Sequence, residues 1–345
     1  MNQNLQQQTQ SLPQLKNNEN SQIKIGDVTL KSCVMLAPMA GITDLPYRQL
    51  IRRFSSNSLL TTEMISSEML MQNRKDGNKI LENLENEFPL SYQISGHKPQ
   101  MMATAAKKLM NLERKPSIID INMGCPVRKV VCGGDGSALM KTPQIACDIV
   151  KAVKDAVDIP VTVKFRLGYT VSEINFKEFA SLMQESGADA MTIHCRTRSQ
   201  MYSGVADWQA IAGIKKYISV PVYANGDITS PQKAKECLEI TGVDGIAIGR
   251  GTLGSPDLIH RIEHYLLTGE LIEEADIQTK IKWAKEHIDA EVALRGEKNA
   301  IPFMRKFYPY YIKGVQNAAA TRGTLMSATD YKTIIDELDK ISQMF

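Results

Sequence analysis

The chain has 345 residues, a length that suits about two domains and a large buried core. Hydrophobic residues make up 43%, which excludes a disordered chain, and no apolar run reaches the roughly 18–20 residues of a membrane span. Lys and Arg number 41 against 38 acids, a net charge of +3, so a nucleic-acid role has to come from a local basic patch.

Residues 1–22 hold seven Gln and five Asn. Such a polar segment buries too little apolar surface to offset its ordering entropy, so a disordered tail is predicted. Residues 23–30, with Gly26-Asp27 in the middle, predict a small hairpin placed to plug a barrel from below. Eight short apolar runs follow, at 34–37, 59–62, 90–94, 118–121, 161–164, 190–194, 222–225 and 245–248. Their mean spacing of about 30 residues is that of a βα unit. Helical signals lie between them. Thr142-Pro143 is an N-cap with Pro at the first helical position, followed by Ile145, Ile149, Val150 and Val153 at helical spacing. Ser230-Pro231 repeats the device and ends near Gly242, and Phe176, Phe179, Ala180 and Met183 form a further stripe closed by Gly187. The α/β pattern predicts a (β/α)8 TIM barrel over 23–270. A doubly wound sheet would carry a GxGxxG turn, which is absent. Beyond 270 the strand signal stops. Helices over 277–293, 300–318 and 328–343 predict an all-helical C-terminal domain from 275 to 345.

In such a barrel the working residues stand at the C-terminal ends of the strands. Read in order, these ends carry Pro38-Met39-Ala40, Gln93, Asn122 and Cys125, Lys164 and Arg166, His194, Arg196 and Arg198, Asn225-Gly226-Asp227, and Gly249-Arg250. Glycine turns after the last two strands, with Arg250 beside them, suit a phosphate held on backbone N–H groups; the plainer reading is that they are tight turns. Lys164 suits a flavin, whose reduced form gathers negative charge at N1 and O2. Gln93 and Asn122 can hydrogen-bond the edge of a planar heterocycle, and Pro38-Met39-Ala40 offers amides and a soft apolar face. Cys125, between Gly124 and Pro126, can donate a proton as a thiol of pKa about 8.5, or act as a nucleophile if that value is depressed. Cys33, Cys147 and Cys237 suit burial, and Cys132 and Cys195 are left open. The six cysteines form no CxxC pair, so neither a disulfide scaffold nor a metal site is expected. With no secretory or transit signature, a reduced, cytoplasmic protein is the expectation.

The segments APMAGITD, QISG, NMGCPVRKV, VTVKFRLG, IHCRTRSQMYSG, ANGDI and IGRG, in this order, resemble the tRNA-dihydrouridine synthases, and among them the B-type bacterial subgroup, over about residues 24–325. The resemblance implies an FMN-binding barrel with a helical domain that reduces particular uridines of tRNA at the expense of NADPH. It implies flavin contacts at Pro38, Met39, Ala40, Gln93, Lys164, Asn225, Gly226, Asp227, Gly249 and Arg250, with His194 near the flavin and Cys125 as proton donor. Three positions depart from the family pattern. His97 stands where a small polar residue is more usual, Cys195 where Gly is common, and Asp135 where Ala is frequent.

The chemistry agrees with that implication. The C5=C6 bond of uracil is conjugated to the C4 carbonyl, so hydride from flavin N5 adds at C6 and the enolate carbon C5 then needs a proton from the opposite face. Cys125 can supply it, once the base is flipped out of the RNA stack. Residues 295–323 carry Arg295, Lys298, Arg305, Lys306, Lys313 and Arg322 against the single acid Glu297. That excess favours phosphate contact by Arg305 and Lys306, while the interleaved Phe303, Phe307, Tyr308, Tyr310 and Tyr311 read better as core. Arg128, Lys129, Arg166, Arg196 and Arg198 are further expected RNA contacts at the mouth. No protein partner is implied, and a monomer is expected. The rival reading is an FMN barrel acting on a free pyrimidine, of the dihydroorotate dehydrogenase kind, which has no need of a basic helical domain.

Overall fold

The chain enters through an antiparallel hairpin, β1 (Ile23–Ile25) and β2 (Val28–Leu30), turned at Gly26 with φ +58°. The structure is a computed structural model that describes residues 22–72, 81–315 and 318–345. The Gln/Asn-rich tail, but for Gln22, lies outside the described residues. Gly26 sits against Pro160, where a Cβ would come within 2.7 Å of the ring. Ile25 and Leu30 pack with Met35, Leu59, Ile118, Ala190, Tyr223 and Ala247 inside the barrel. The hairpin therefore closes the barrel from below, as its sequence predicts.

Eight parallel strands then follow at the predicted places: β3 (Val34–Leu36), β4 (Leu60–Thr61), β6 (Leu90–Ser95), β7 (Ile118–Met123), β8 (Val161–Arg166), β9 (Ala190–His194), β10 (Val222–Asn225) and β11 (Gly245–Ile248). A two-residue strand, β5 (Ile65–Ser66), pairs further along β6. The order β3-β11-β10-β9-β8-β7-β6-β4 is completed by a parallel bridge from Met35 to Leu59, with Leu36 N–H donating to Leu59 O at 2.9 Å. This is a (β/α)8 barrel.

Strand alternation decides what faces inward. On β7, Ile119, Ile121 and Met123 join the core under the helices, while Ile118 belongs to the barrel interior, and Asp120 lines the cavity there. The same period of two puts Thr162 and Lys164 inward on β8. The interior thus changes from apolar below to polar above.

The helical stripes pack onto the outside. Phe176, Phe179, Ala180 and Met183 are buried on the helix Phe176–Glu185. In Pro143–Lys154 the buried face is Ala146, Cys147, Ile149, Val150 and Val153. Ile145, predicted on that stripe, is exposed instead, because the face is centred one residue further on. Ser230 caps Pro231–Thr241 by accepting from Lys233 N–H, and Gly242 ends it at φ +65°.

Among the described residues no strand follows β11. Ile277–Arg295 forms a long helix capped by Asp276, and Tyr331–Ser342 forms the last one. The predicted single helix over 300–318 is in fact two, Glu297–Met304 and Tyr308–Tyr311. Pro309 has no N–H to donate to Arg305 O, so the helix cannot run through. Ala318–Ser327 is a further helix that was not predicted. Phe307, Tyr308 and Tyr311 are core, as expected, with Phe307 and Tyr311 packed around His287; only Tyr310 among the five aromatics is largely exposed.

The helical region is joined to the barrel by buried charge. Arg295 donates to Asp44, the N-cap of Leu45–Arg52, and to Glu291. Burial, and then the neighbouring Glu291, push the Asp44 carboxyl up to about 7, while burial lowers His287 to about 4. Asp44, His287 and Glu291 bring one ligand atom each within 4.8 Å of one another, but the Arg295 guanidinium already supplies the positive charge there. No described helix is long and apolar enough to cross a membrane.

Candidate active site

The upper layer of the barrel is a chain of buried amides and charges. Gln93 donates to Asp120 at 2.7 Å, and Asn122 donates to Gln93 at 2.8 Å. Thr162 also donates to Asp120, at 2.6 Å. Burial raises the Asp120 pKa, and these donors oppose the rise. Asn122 Oδ1 accepts from the N–H groups of Gly124 and Cys125 at 3.2 and 2.9 Å. Both polar atoms of Asn122 are therefore engaged within the protein, and they shape the loop that carries Cys125.

Arg166 supports that loop from the other side. It donates to Gly124 O at 2.7 Å, and to Thr197 O and Met201 O at 2.9 and 2.8 Å. Cys125 itself is half-buried. Desolvation raises its pKa, outweighing a backbone hydrogen bond and the nearby Arg166 and Lys164. A thiol so placed keeps its proton at neutral pH, which favours the donor reading over the nucleophile.

Lys164 reaches Asn225 Oδ1 at 3.0 Å, and Asn225 Nδ2 donates to Ala247 O at 2.7 Å. Burial, and then repulsion from Arg166, lower the ammonium to about 8. Beneath it lies a cavity of about 10 Å3, room for about one water, lined in part by Asp120, Thr162 and Thr192. Lys164, Arg166, Arg196 and Arg250 surround His194; burial first, then these cations, hold its pKa well below the usual value. It is a neutral imidazole. Arg196 Nη1 is 3.5 Å from His194 Nε2, and Arg only donates, so the ring proton belongs on Nδ1.

The turn after β10 is tightly built. Gly226 has φ +127°, and a Cβ there would meet Ala206 at 2.8 Å and His194 at 3.2 Å. Asp227 has φ +55° and accepts from Arg196 at 2.6 Å and from Ala206 N–H at 2.8 Å. Burial works to raise this carboxyl, but these donors and Arg250 hold it below its usual range. Arg250 is half-exposed, 3.7 Å from Asp227. Gly249 faces Met39, whose sulfur lies 3.5 Å from where a Cβ would stand. The loop of Pro38, Met39 and Ala40 is fixed at its end: Gly41, φ +72°, donates to Glu63 and accepts from Lys306.

The structure thus gathers Pro38, Met39, Ala40, Gln93, Asn122, Cys125, Lys164, His194, Asn225, Gly226, Asp227, Gly249 and Arg250 at the C-terminal mouth. Two of the expected RNA contacts need correction. Arg166 and Arg196 are buried, with their guanidinium groups committed to carbonyls and to Asp227, so neither is available to a phosphate. Arg128 and Lys129 are exposed on the short helix after Cys125. Arg198 is partly exposed over the Tyr169 ring. Arg305 is partly buried and donates to Ala328 O, and Lys306 lies 3.3 Å from the centre of the Phe303 ring. Lys306 is therefore anchored at the barrel mouth.

Sequence reasoning missed Asp120, Glu63 and Tyr202. Asp120 was signalled by a lone acid within the apolar run Ile118-Ile119-Asp120-Ile121. Tyr202 is half-exposed at the mouth, with Arg250 and Arg166 at 4.9 and 5.6 Å from its ring centre. Nothing local in the sequence signals that.

The arrangement offers a thiol, a partly buried ammonium, neutral amides and two glycine turns with the half-exposed Arg250, which is paired to Asp227. That set can hold a phosphorylated planar heterocycle and protonate a carbon above it. Residues 35–345 match the family model described as dihydrouridine synthase. A probable tRNA-dihydrouridine synthase of Rickettsia conorii is 42% identical over 309 residues, covering 89% of this chain and 92% of its own. A tRNA-dihydrouridine synthase B of Pseudomonas putida is 42% identical over 293 residues, covering 85% and 86%. Among solved structures, morphinone reductase in complex with tetrahydroNAD aligns with a TM-score of 0.52 at 10% identity, over 75% of this chain and 93% of its own, a likeness of fold. The chain belongs to the dihydrouridine synthase family.

Proposed function

We propose that the chain reduces the C5=C6 bond of particular uridines in tRNA to dihydrouridine, with FMN as its bound cofactor and NADPH as the reductant. The observation that carries this reading is Cys125, half-buried on the loop after β7 with its N–H held by Asn122, at a barrel mouth that also presents the partly buried Lys164 bonded to Asn225. The donor set fits FMN. The backbone at Gly226-Asp227 and Gly249-Arg250, with the Arg250 side chain, would hold the phosphate. Pro38, Met39 and Ala40 would line the ring, with Gln93, held by Asp120 and Asn122, at its edge. When bound, the flavin supplies the hydride that adds at uracil C6.

The residues of the chain do the rest. Lys164 sets a positive charge at the pyrimidine edge of the ring. His194, neutral, adds a hydrogen-bonding group without further charge. Cys125 holds a proton and gives it to C5. Arg128, Lys129 and Arg198 bind the backbone of a nucleotide flipped out of the RNA stack, and residues 275–345 act as the tRNA-binding domain, with Arg305 on its surface. The protein works as a cytoplasmic monomer.

The test is anaerobic. Protein reduced with NADPH is mixed with tRNA lacking dihydrouridine, and flavin absorbance is followed. Wild type is reoxidised and the tRNA gains dihydrouridine. Cys125→Ala is reduced normally but reoxidised about 10² to 10⁴ times more slowly, the usual worth of a general acid. Cys132→Ala behaves as wild type. Reoxidation by orotate as fast as by tRNA would turn the assignment to a free pyrimidine.

A further inference from the structure

Two of the departures from the family pattern touch. His97 Nδ1 lies 2.7 Å from Asp135 Oδ1 although 38 residues separate them. A carboxylate oxygen only accepts, so Nδ1 is the donor. His97 follows β6, just before the helix Pro99–Met110, and Asp135 lies in the glycine-rich turn after the helix Arg128–Val131. Gly134, at φ +91°, lies flat against the imidazole, where a Cβ would be 3.3 Å from Cγ.

The same turn is the backing of Cys125. Ser137 donates to Cys125 O twice, from its N–H at 3.1 Å and from its hydroxyl at 2.9 Å. A Cβ on Gly136 would stand 2.8 Å from Cys125 O and 3.0 Å from Cys125 Cβ, so this turn is in direct contact with the cysteine. Asp135 N–H donates to Val130 O, and Asp135 O accepts from Ala138 N–H. Asp135 is thus the one member of the turn whose side chain is tied to another barrel unit. Its anchor, His97, stands two residues beyond the end of β6, the strand that also carries Gln93.

The geometry points to His97 and Asp135 as a positioning pair for the Cys125 loop, which pins the turn behind the proton donor to the connection that follows β6. Neither residue touches the reacting atoms. The inference rests on the proposed role of Cys125, but the contact can be probed without it. Both side chains are partly exposed, at 37% and 23%, so their replacement leaves the core packing intact.

The experiment uses the full chain carrying Cys132→Ala, with iodoacetamide as the probe and the alkylated Cys125 peptide measured by mass spectrometry. His97→Ala and Asp135→Ala are each expected to change the Cys125 alkylation rate at least threefold. Reoxidation of the NADPH-reduced protein by tRNA is expected to slow about five- to twentyfold, with flavin content and the rate of reduction by NADPH unchanged. The double variant should be no worse than either single one, as for two partners of one contact. His97→Asn, whose amide nitrogen can take the place of Nδ1, should restore both rates. A fall in reduction and reoxidation together, additive singles, or alkylation rates within threefold of the parent would each overturn the pairing. If Cys125→Ala is itself reoxidised at the parent rate, the acid assignment fails, while alkylation still reports on the pair.

Discussion

The Lys164 ammonium meets Asn225 Oδ1 at 3.0 Å across the intervening strand β9. Asn225 in turn donates to Ala247 O on β11, which fixes its amide the right way round to accept from lysine. One hydrogen-bonded line thus ties β8, β10 and β11 and aims a cation at the mouth.

That cation titrates. Burial and Arg166 lower it to about 8, so its charge is present below that pH and is lost as the pH rises through about 8. The rate of flavin reduction by NADPH is expected to fall along the same curve. Lys164→Met should be slower by about 10- to 100-fold at pH 7, and flat between pH 7 and 9. Stopped-flow traces across that range decide it: a variant with the wild-type pH profile removes Lys164 from the step.

Gly226→Ala tests the turn. The added methyl meets Ala206 and His194 at a φ of +127° that an L side chain rarely adopts. Strain and overpacking together should cost on the order of 3 kcal/mol and release flavin. Urea unfolding and the flavin-to-protein absorbance ratio measure the two effects; a stable, fully yellow variant would contradict this account of the turn.

Arg128→Glu with Lys129→Glu reverses charge on the exposed helix beside Cys125. Weaker tRNA binding is expected, with a shallower dependence on salt because about two phosphate contacts are lost. Reduction by NADPH should not change. Equal affinity at low and high salt would return both residues to an ordinary solvated surface.

The buried Asp44–His287 neighbourhood makes a prediction about stability. The folded Asp44 carboxyl titrates near 7, above its unfolded value of about 3.9, so its contribution is present at low pH and is lost as the pH rises through about 7. His287 runs the other way, since its folded value of about 4 lies below the unfolded value of about 6.5, and its contribution grows between those limits. In the wild type the two slopes oppose each other. Burial also raises the neighbouring Glu291 carboxyl, which works in the same direction as Asp44. Asp44→Asn removes one of these two carboxyl contributions, so the melting temperature of the variant should climb more steeply from pH 4 to 6.5. Parallel curves for the two proteins would refute the opposed titration.

Much of this was legible because it is periodic. Eight apolar runs at βα spacing mark all eight barrel strands, and Ser230-Pro231 with Gly242 mark the start and the approximate end of the helix Pro231–Thr241. Strand ends told which residues reach the mouth. They do not tell whether later loops fold over them, and Arg166 and Arg196 are covered by the carbonyls of the segment 197–204, which no local pattern announces. The break before Pro309 has a local signal in that proline, set within a longer helical pattern. Links such as His97 to Asp135, or Lys306 to Gly41 some 265 residues away, depend on three-dimensional closure and leave no local trace.

The grip of Lys306 and Glu63 on Gly41, together with Arg295 on Asp44, has a consequence for how such a chain can change. The loop that follows β3 is clasped from the C-terminal helices, so neither portion carries a complete surface of its own. A barrel cut free near residue 275 would bare Asp44 and Glu63 with no cation to answer them. Replacement of the helical region would therefore have to keep Arg295 for Asp44 and Lys306 for the Gly41 carbonyl.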